Sequence, residues 1–258
     1  MTRGWLLYAE NRLLRMRAYL RTILIVALLY PVIYLTAMGV GLGSLVDRGA
    51  GGIAGVPYLV FVGAGLLVAT IVMESTNEFT FAIMGGFKWQ RTYYAANASP
   101  ITPAQIVIGE VAAVFVRLLA QAIPFWIALV LFGAAPSGWS WLLVPIAAVA
   151  GISFGAPLMA YSATQEEDGY QFAFVQRFIV MPMFLFAGTF YPLTQMPPYL
   201  QWVGWISPMW HGTQLGRIVG YGMENPPWLT VVHVLCLVVP IVVGVALSIR
   251  IFTARLLK

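Results

Sequence analysis

Six stretches of this chain, near Arg21–Gly43, Val56–Met73, Ala104–Phe132, Trp139–Ser162, Phe172–Tyr191 and Trp228–Ile249, are almost uninterruptedly apolar. Each runs for roughly 20 residues or more, the length a helix needs to cross bilayer hydrocarbon. Hydrocarbon offers the backbone no hydrogen-bond partners, so such runs must satisfy their own N–H and C=O groups as helices. Residues left over for a water-facing surface are few. Charged residues make up 9% of the chain against 60% hydrophobic, where a soluble domain carries about 25% charged. The expected fold class is an all-α membrane protein, residues 1–258 forming a single transmembrane domain.

Orientation follows from the basic residues. Arg3, Arg12, Arg15, Arg17 and Arg21 precede the first span, Lys88 and Arg91 lie between spans two and three, Arg177 flanks span five, and Arg250, Arg255 and Lys258 end span six. The other side has only Arg48 and Arg217, and Arg117 lies within span three. Cations stay on the cytoplasmic side, so both termini are expected there, in a multi-pass protein of the plasma membrane, such as a bacterial inner membrane. The net charge of +5 is explained by this asymmetry. Nucleic acid is excluded as a partner, because the basic residues flank greasy spans and form no soluble basic domain.

Between the spans the chain is not featureless. Trp5, Ala9, Leu13, Met16 and Leu20 recur at helical spacing among Arg12, Arg15 and Arg17. That pattern predicts an interfacial helix over residues 1–20, aromatic ring in lipid and guanidinium groups among phosphates; the alternative is a flexible basic leader. It reads as retained rather than as a cleaved signal, since the apolar run continues past Pro31 without a small-residue cleavage pattern. The loop at 85–101 carries Trp89, Tyr93 and Tyr94, more aromatic surface than a connector needs. Thr102, Pro103 and Gln105 form a capping-box pattern that starts span three. In TQEEDGY, Thr164 and Glu167 have the same spacing, while Asp168-Gly169 argues for a turn. The spacings Gly39/Gly43, Gly151/Gly155, Gly212/Gly216 and Gly216/Gly220 read as close helix packing.

Catalytic and metal chemistry find little support. The phosphate-loop pattern is missing, since Lys88 follows Phe87 rather than glycine. This chain is therefore expected to bind no cofactor of its own. His211 and His233 are far apart in sequence and have no partner at ligand spacing, and the single Cys236 reads as a buried, inert thiol. Charges within spans call for explanation. Glu74 and Glu78 share a face of span two; Glu110 and Arg117 lie two turns apart on span three, Arg117 deeper. The acids are expected to pair with Arg117 or the arginine-rich N-terminal helix. A proton relay is the alternative, although the outer half has no acids to continue it.

The segment YPLTQMPPYLQWVGWISPMWHG, Tyr191 to Gly212, is too apolar for a surface loop and too proline-broken for a spanning helix. Tyr199, Trp202, Trp205 and Trp210 are amphipathic rings that prefer the headgroup level. Helices are expected over Pro198–Ile206 and Met209–Tyr221, dipping into the outer leaflet and returning as a re-entrant hairpin over 192–222. Tyr191, Pro192, Trp205, Pro208 and His211 are the candidate outer gate.

FAGTFYPLTQMPPYLQWVGWISPMWHGTQLGR, from Phe186 to Arg217, resembles the signature region of ABC-2-type transporter permeases, in the NodJ-like branch of nodulation-factor (lipooligosaccharide) exporters. YYAANASPITPAQIVIGE, Tyr93 to Glu110, is similar to that family's Pro-[LI]-Thr-Pro turn and Gly-Glu pair before span three. The resemblance implies a half-transporter that dimerises and docks two ABC ATPase subunits, which carry the ATP and Mg. It implies contact with them through Trp5–Arg21 and Phe87–Pro100, where Trp89, Arg91, Tyr93 and Tyr94 are the coupling candidates. The expected cargo is an amphiphile: a glycolipid, a lipid-linked saccharide or a hydrophobic drug. Phe174, Phe178, Phe184 and Phe186 suit such a cargo, although each singly suits packing or lipid. Two other classes stay open here: an intramembrane lipid-modifying enzyme with His211 as base, and a non-transporting assembly subunit.

Overall fold

The computed structural model describes residues 3–17, 20–166 and 169–257. The described chain is mainly helical, and no strand occurs among the described residues. In order the helices are α1 (Gly4–Met16), α2 (Leu20–Tyr34), α3 (Gly43–Ala50), α4 (Tyr58–Phe79), α5 (Phe81–Phe87), α6 (Thr92–Asn97), α7 (Pro103–Leu131), α8 (Leu143–Thr164), α9 (Tyr170–Val175), α10 (Met181–Phe186), α11 (Pro198–Trp205), α12 (Pro208–Tyr221) and α13 (Pro227–Leu256). A π-helical stretch, Leu35–Leu42, joins α2 to α3, and another, Gln176–Val180, joins α9 to α10. The second precedes Pro182, which has no N–H to give; widening the preceding turn lets the helix continue past it.

Among the described residues, five helical stretches are long and apolar enough to cross a membrane: Ala27–Gly49, Tyr58–Phe87, Pro103–Leu131, Ser140–Thr164 and Pro227–Leu256. At the expected fifth span stands a shorter apolar helix, Tyr170–Phe186. It stops before Tyr191 because the chain leaves helical geometry at Gly188, whose φ of +70° favours glycine. The second span runs well beyond Met73, to Phe87, with a break at Thr80. Glu74 and Glu78 do not end it because both find cationic partners.

Helix α4 is the central post. Val62, Leu66, Leu67, Val68, Ala69, Ile71 and Val72 are all buried on it, against α7, α8 and α12. Small residues allow that crowding. Gly151 and Gly155 of α8 lie against Ile71, Ser75 and Phe79, and the Ser75 hydroxyl donates to the Gly151 carbonyl at 2.6 Å. Gly212, Gly216 and Gly220 seat α12 on Ala64 and Val68 of α4 and on Leu143 and Ala150 of α8. Gly244 brings α13 onto the Ala156–Pro157 backbone. Gly39 and Gly43 likewise lie against Leu59 and Tyr58 of α4, so the glycine pairs read from spacing are helix contacts, and Gly244 is a further one that no spacing marked.

The cap on α7 forms as expected: the Gln105 N–H donates to Thr102 Oγ1 at 3.3 Å, and Gln105 Oε1 accepts from the Thr102 N–H at 3.1 Å. The Thr164 hydroxyl instead donates back to the Tyr161 carbonyl at 2.7 Å; Glu167 and Asp168 lie outside the described residues. Cys236 is half-buried rather than fully buried.

Gly155→Val and Gly244→Val should each cost about 1–3 kcal/mol by overpacking. Gly138, with open space around it, should accept alanine freely. Thermal unfolding of the detergent-solubilised variants checks the contrast.

Candidate functional site

Three groups of side chains stand out, two at one end of the bundle and one at the other. The first is an ion cluster where α1 crosses α4 and α7. Arg12 lies 3.1 Å from Glu78 Oε2 and 3.0 Å from Glu110 Oε1. Arg117 pairs with Glu78 and stands 3.9 Å from Glu74. The Tyr8 hydroxyl donates to Glu110 Oε2 at 3.0 Å. Burial first, and then the Glu110 carboxylate, push the Tyr8 phenol far above its ordinary range, so it stays a donor.

For Arg12 this corrects the expectation that the α1 guanidinium groups sit among phosphates; Arg15 and Arg17 are exposed. Arg12 points inward because Glu110 is only 1% exposed and Glu78 only 8%, and a buried carboxylate is tolerable only when paired. The α1 backbone can come close enough because Gly4 meets the Gln105 side chain and Gly109 meets the Trp5 carbonyl and Tyr8. Trp5, by contrast, stays largely exposed. The acids pair both with Arg117 and with the arginine-rich α1, as expected, through Arg12. Tyr8 was the member sequence reasoning missed; its one-turn spacing from Gly4 and Arg12 was the available signal.

The second group is the segment from Phe87 to Pro100. Trp89, Arg91 and Tyr94 are exposed there. Tyr93 is not: it is 2% exposed and packs on Phe87 and Phe252 with ring centroids 4.7 and 5.0 Å apart. It braces α6 from beneath instead of offering a contact surface. An apolar ring at this position gains more from the aromatic cluster than from water. The Arg255 guanidinium lies 4.3 Å from the Phe87 ring centre and donates to the carbonyls of Ala163 and Gln165, tying the ends of α13 and α8 to the same cluster. Arg91 holds a left-handed φ of 51° at the start of α6. A groove of about 340 Å³ between α1 and α6 is lined by Leu7, Tyr8, Asn11, Arg15, Thr92 and Ala95.

The third group lies at the opposite end. Helices α11 and α12 form much as expected, the second capped by Ser207, whose hydroxyl accepts from the Met209 N–H at 3.1 Å. The two histidines, remote in sequence, meet here, with Nδ1 to Nδ1 at 2.7 Å. His211 Nε2 lies 2.9 Å from the Trp205 carbonyl. A carbonyl only accepts, so His211 carries its proton on Nε2, and His233 supplies the proton between the rings. Both nitrogens of His211 are thereby committed. Tyr191 donates to the Leu185 carbonyl at 3.3 Å. Pro192 precedes a short 3₁₀ turn, and Pro208 opens α12. Arg217 was also missed as a buried residue, although it sits within the Gly212/Gly216/Gly220 stripe.

Beside this end runs an apolar groove of about 830 Å³ between α8, α10, α11 and α13. Phe154, Tyr161, Phe178, Pro182, Trp202 and Pro240 are among its walls.

A helical bundle whose charges gather at one end, with a broken hydrophobic segment at the other, is a multi-pass membrane protein. The chain belongs to the ABC-2 type transporter family, whose profile it matches over residues 1–221. It is 31% identical to nodulation protein J of Rhizobium leguminosarum bv. viciae, over 84% of this chain and 83% of that protein. Nodulation protein J of Rhizobium meliloti is 30% identical over 74% and 71%. The inner membrane transport permease YadH of Escherichia coli K12 is 25% identical over 80% and 79%. The chain is accordingly a transporter permease, and membership of the family implies an ABC ATPase as partner.

Arg12→Met strands the buried Glu110 carboxylate and should destabilise the protein by about 3–5 kcal/mol. Adding Glu110→Met should recover a large part of that loss. Unfolding temperatures of the two single variants and the double variant measure the coupling.

Proposed function

We propose that this chain is the membrane half of an ATP-driven exporter in the cell membrane. Two such halves, identical or related, surround a path for an amphipathic cargo, and two ATPase subunits carrying ATP and Mg engage the α1 and α6 end. The observation that carries the reading is the surface formed by Trp89, Arg91 and Tyr94, a projecting aromatic and cationic cluster held rigid from beneath by Tyr93. Rigid backing is what a transmitter needs. A push on α6 passes through Phe87 and Phe252 into α5 and α13, while Arg12 carries movement of α1 into α4 and α7. The groove between α1 and α6 offers the partner a recess beside that surface.

The chain crosses the membrane six times on this reading. Tyr170–Phe186 supplies the fifth crossing, about 25 Å of helix, and cations flank the end where both termini lie. Helices α11 and α12 form a re-entrant pair. Gly212, near the start of α12, neighbours Val68 and Ala150 deep in α4 and α8, whereas Gly220 at its end neighbours Ala64 and Leu143 nearer their outer ends. The start of α12 therefore lies about 15 Å inside the α4 terminus. Tyr191, Pro192, Trp205, Pro208 and His211 make up the outer gate. Nucleotide binding closes the ATPase pair and favours one arrangement of the two halves; hydrolysis restores the other. The apolar groove lined by Phe154, Phe178 and Trp202 suits the tail of a glycolipid, lipid-linked saccharide or hydrophobic drug, with Ser153, Tyr161 and Ser207 the polar groups along it.

Copurification with the ATPase, followed by measurement of its stimulated hydrolysis, tests the coupling surface. Trp89→Ala and Arg91→Glu should leave assembly intact and lower stimulation about tenfold, as for an interface anchor. Unchanged stimulation in both removes the assignment.

A further inference from the structure

Among the described residues Arg217 is the largest fully buried side chain, 1% exposed, and no carboxylate there pairs with it. Its Nη2 donates to the carbonyls of Gly188 at 2.8 Å and Thr189 at 3.4 Å, and Nε to that of Phe61 at 3.4 Å. The guanidinium carbon stands 3.7 Å from the centre of the Phe61 ring. One cation thus joins three elements: α12, the outer part of α4, and the irregular chain that follows α10.

The reason lies in that irregular chain. Past Phe186 the backbone leaves its helix while still inside the protein: Ala187 and Thr189 have no exposure at all. Gly65 lets the Thr189 carbonyl approach α4 closely, at a distance where a side chain would already crowd it. Carbonyls released there find neither helical N–H groups nor water, and leaving them unpaired is costly. A planar guanidinium presents several donors in one plane and a flat face for an aromatic ring, which an ammonium cannot do. An apolar residue would abandon the carbonyls; arginine satisfies them at the expense of a desolvated charge.

That balance makes the arrangement conditional. With no carboxylate to neutralise it, the buried charge gains hydration whenever α12 tilts outward, and this offsets the hydrogen bonds lost. Arg217 lies about one turn from Gly222, where α12 ends at φ +79° and the chain emerges.

We propose that Arg217 is the positioning residue of the outer segment: it latches α12 to the Gly188–Thr189 chain and to Phe61 in the closed arrangement and releases them together when the segment opens. The latch itself rests on the observed contacts; only its assignment to the outer face rests on the function proposed above. Its partners are carbonyls and a ring that do not titrate near neutral pH, so the latch responds to movement rather than to pH.

The test uses the full-length chain with Cys236→Ser and one reporter, Thr189→Cys, in oriented membrane vesicles treated with a membrane-impermeant maleimide from either side. With Arg217 present, labelling should be slow. Arg217→Lys and Arg217→Gln should speed it roughly tenfold, the opening expected for loss of a charge-assisted hydrogen bond. A second reporter, Ser162→Cys, buried at the other end, should be unaffected. Equal acceleration at both reporters would mean general loosening and would overturn the proposal, as would unchanged labelling at Thr189→Cys. If the Arg217 variants do not accumulate, Phe61→Leu removes only the ring and should accelerate the same reporter by a smaller factor; no acceleration there overturns the latch. Acceleration from the α1 side alone would support the latch and refute the orientation assigned under the proposed function.

Discussion

Within the bilayer a polar group has nothing to bond except the protein itself, and the rest of this structure follows from that constraint. Spans become helices because the alternative leaves backbone groups unpaired. Helices then pack through glycine stripes, because association between apolar helices in apolar solvent gains little unless backbones come close. The Ser75 hydroxyl on the Gly151 carbonyl, at the closest part of the α4–α8 contact, shows both needs met at one point.

The same constraint sorts the charges into two kinds of fastening. At the α1 end, Arg12 and Arg117 are set among Glu74, Glu78 and Glu110. Opposite charges in direct contact form a firm joint, and removing either partner strands the other. At the far end, Arg217 has carbonyls and a ring but no acid among the described residues, and His211 and His233 share a single proton between their rings. These are weaker ties that a modest displacement can undo. On the function proposed above, this inequality makes the protein rigid where the ATPase engages and yielding where cargo leaves. The braced position of Tyr93, under an exposed Trp89 and Arg91, belongs to the rigid half.

Much of this was legible in the residues. Apolar runs set the spans to within a few positions where caps or prolines mark the ends, as at Thr102–Gln105 and Pro227. The proline and tryptophan content of Tyr191–Gly212 was enough to expect two short helices, since proline both opens helices and ends them. Span two was read too short because a pair of glutamates looks like the end of a greasy run until their partners are known. Span five was read too long because Gly188 ends the helix through its backbone angle, which hydropathy does not record. Tyr93 and Tyr94 look alike in a loop; one is buried and the other exposed because only one faces Phe252, from a helix more than 150 positions away in the chain.

The sequence by itself determined that this is an all-helical, multi-pass membrane protein with its cations gathered toward one face, because length, hydropathy and charge asymmetry are local properties that add along the chain. Only the tertiary structure decided which charges meet. That Arg12 turns inward to Glu110, that His211 finds His233, and that Arg217 serves carbonyls instead of water depends on helices crossing at particular depths and rotations, and those are fixed by packing between segments remote in sequence.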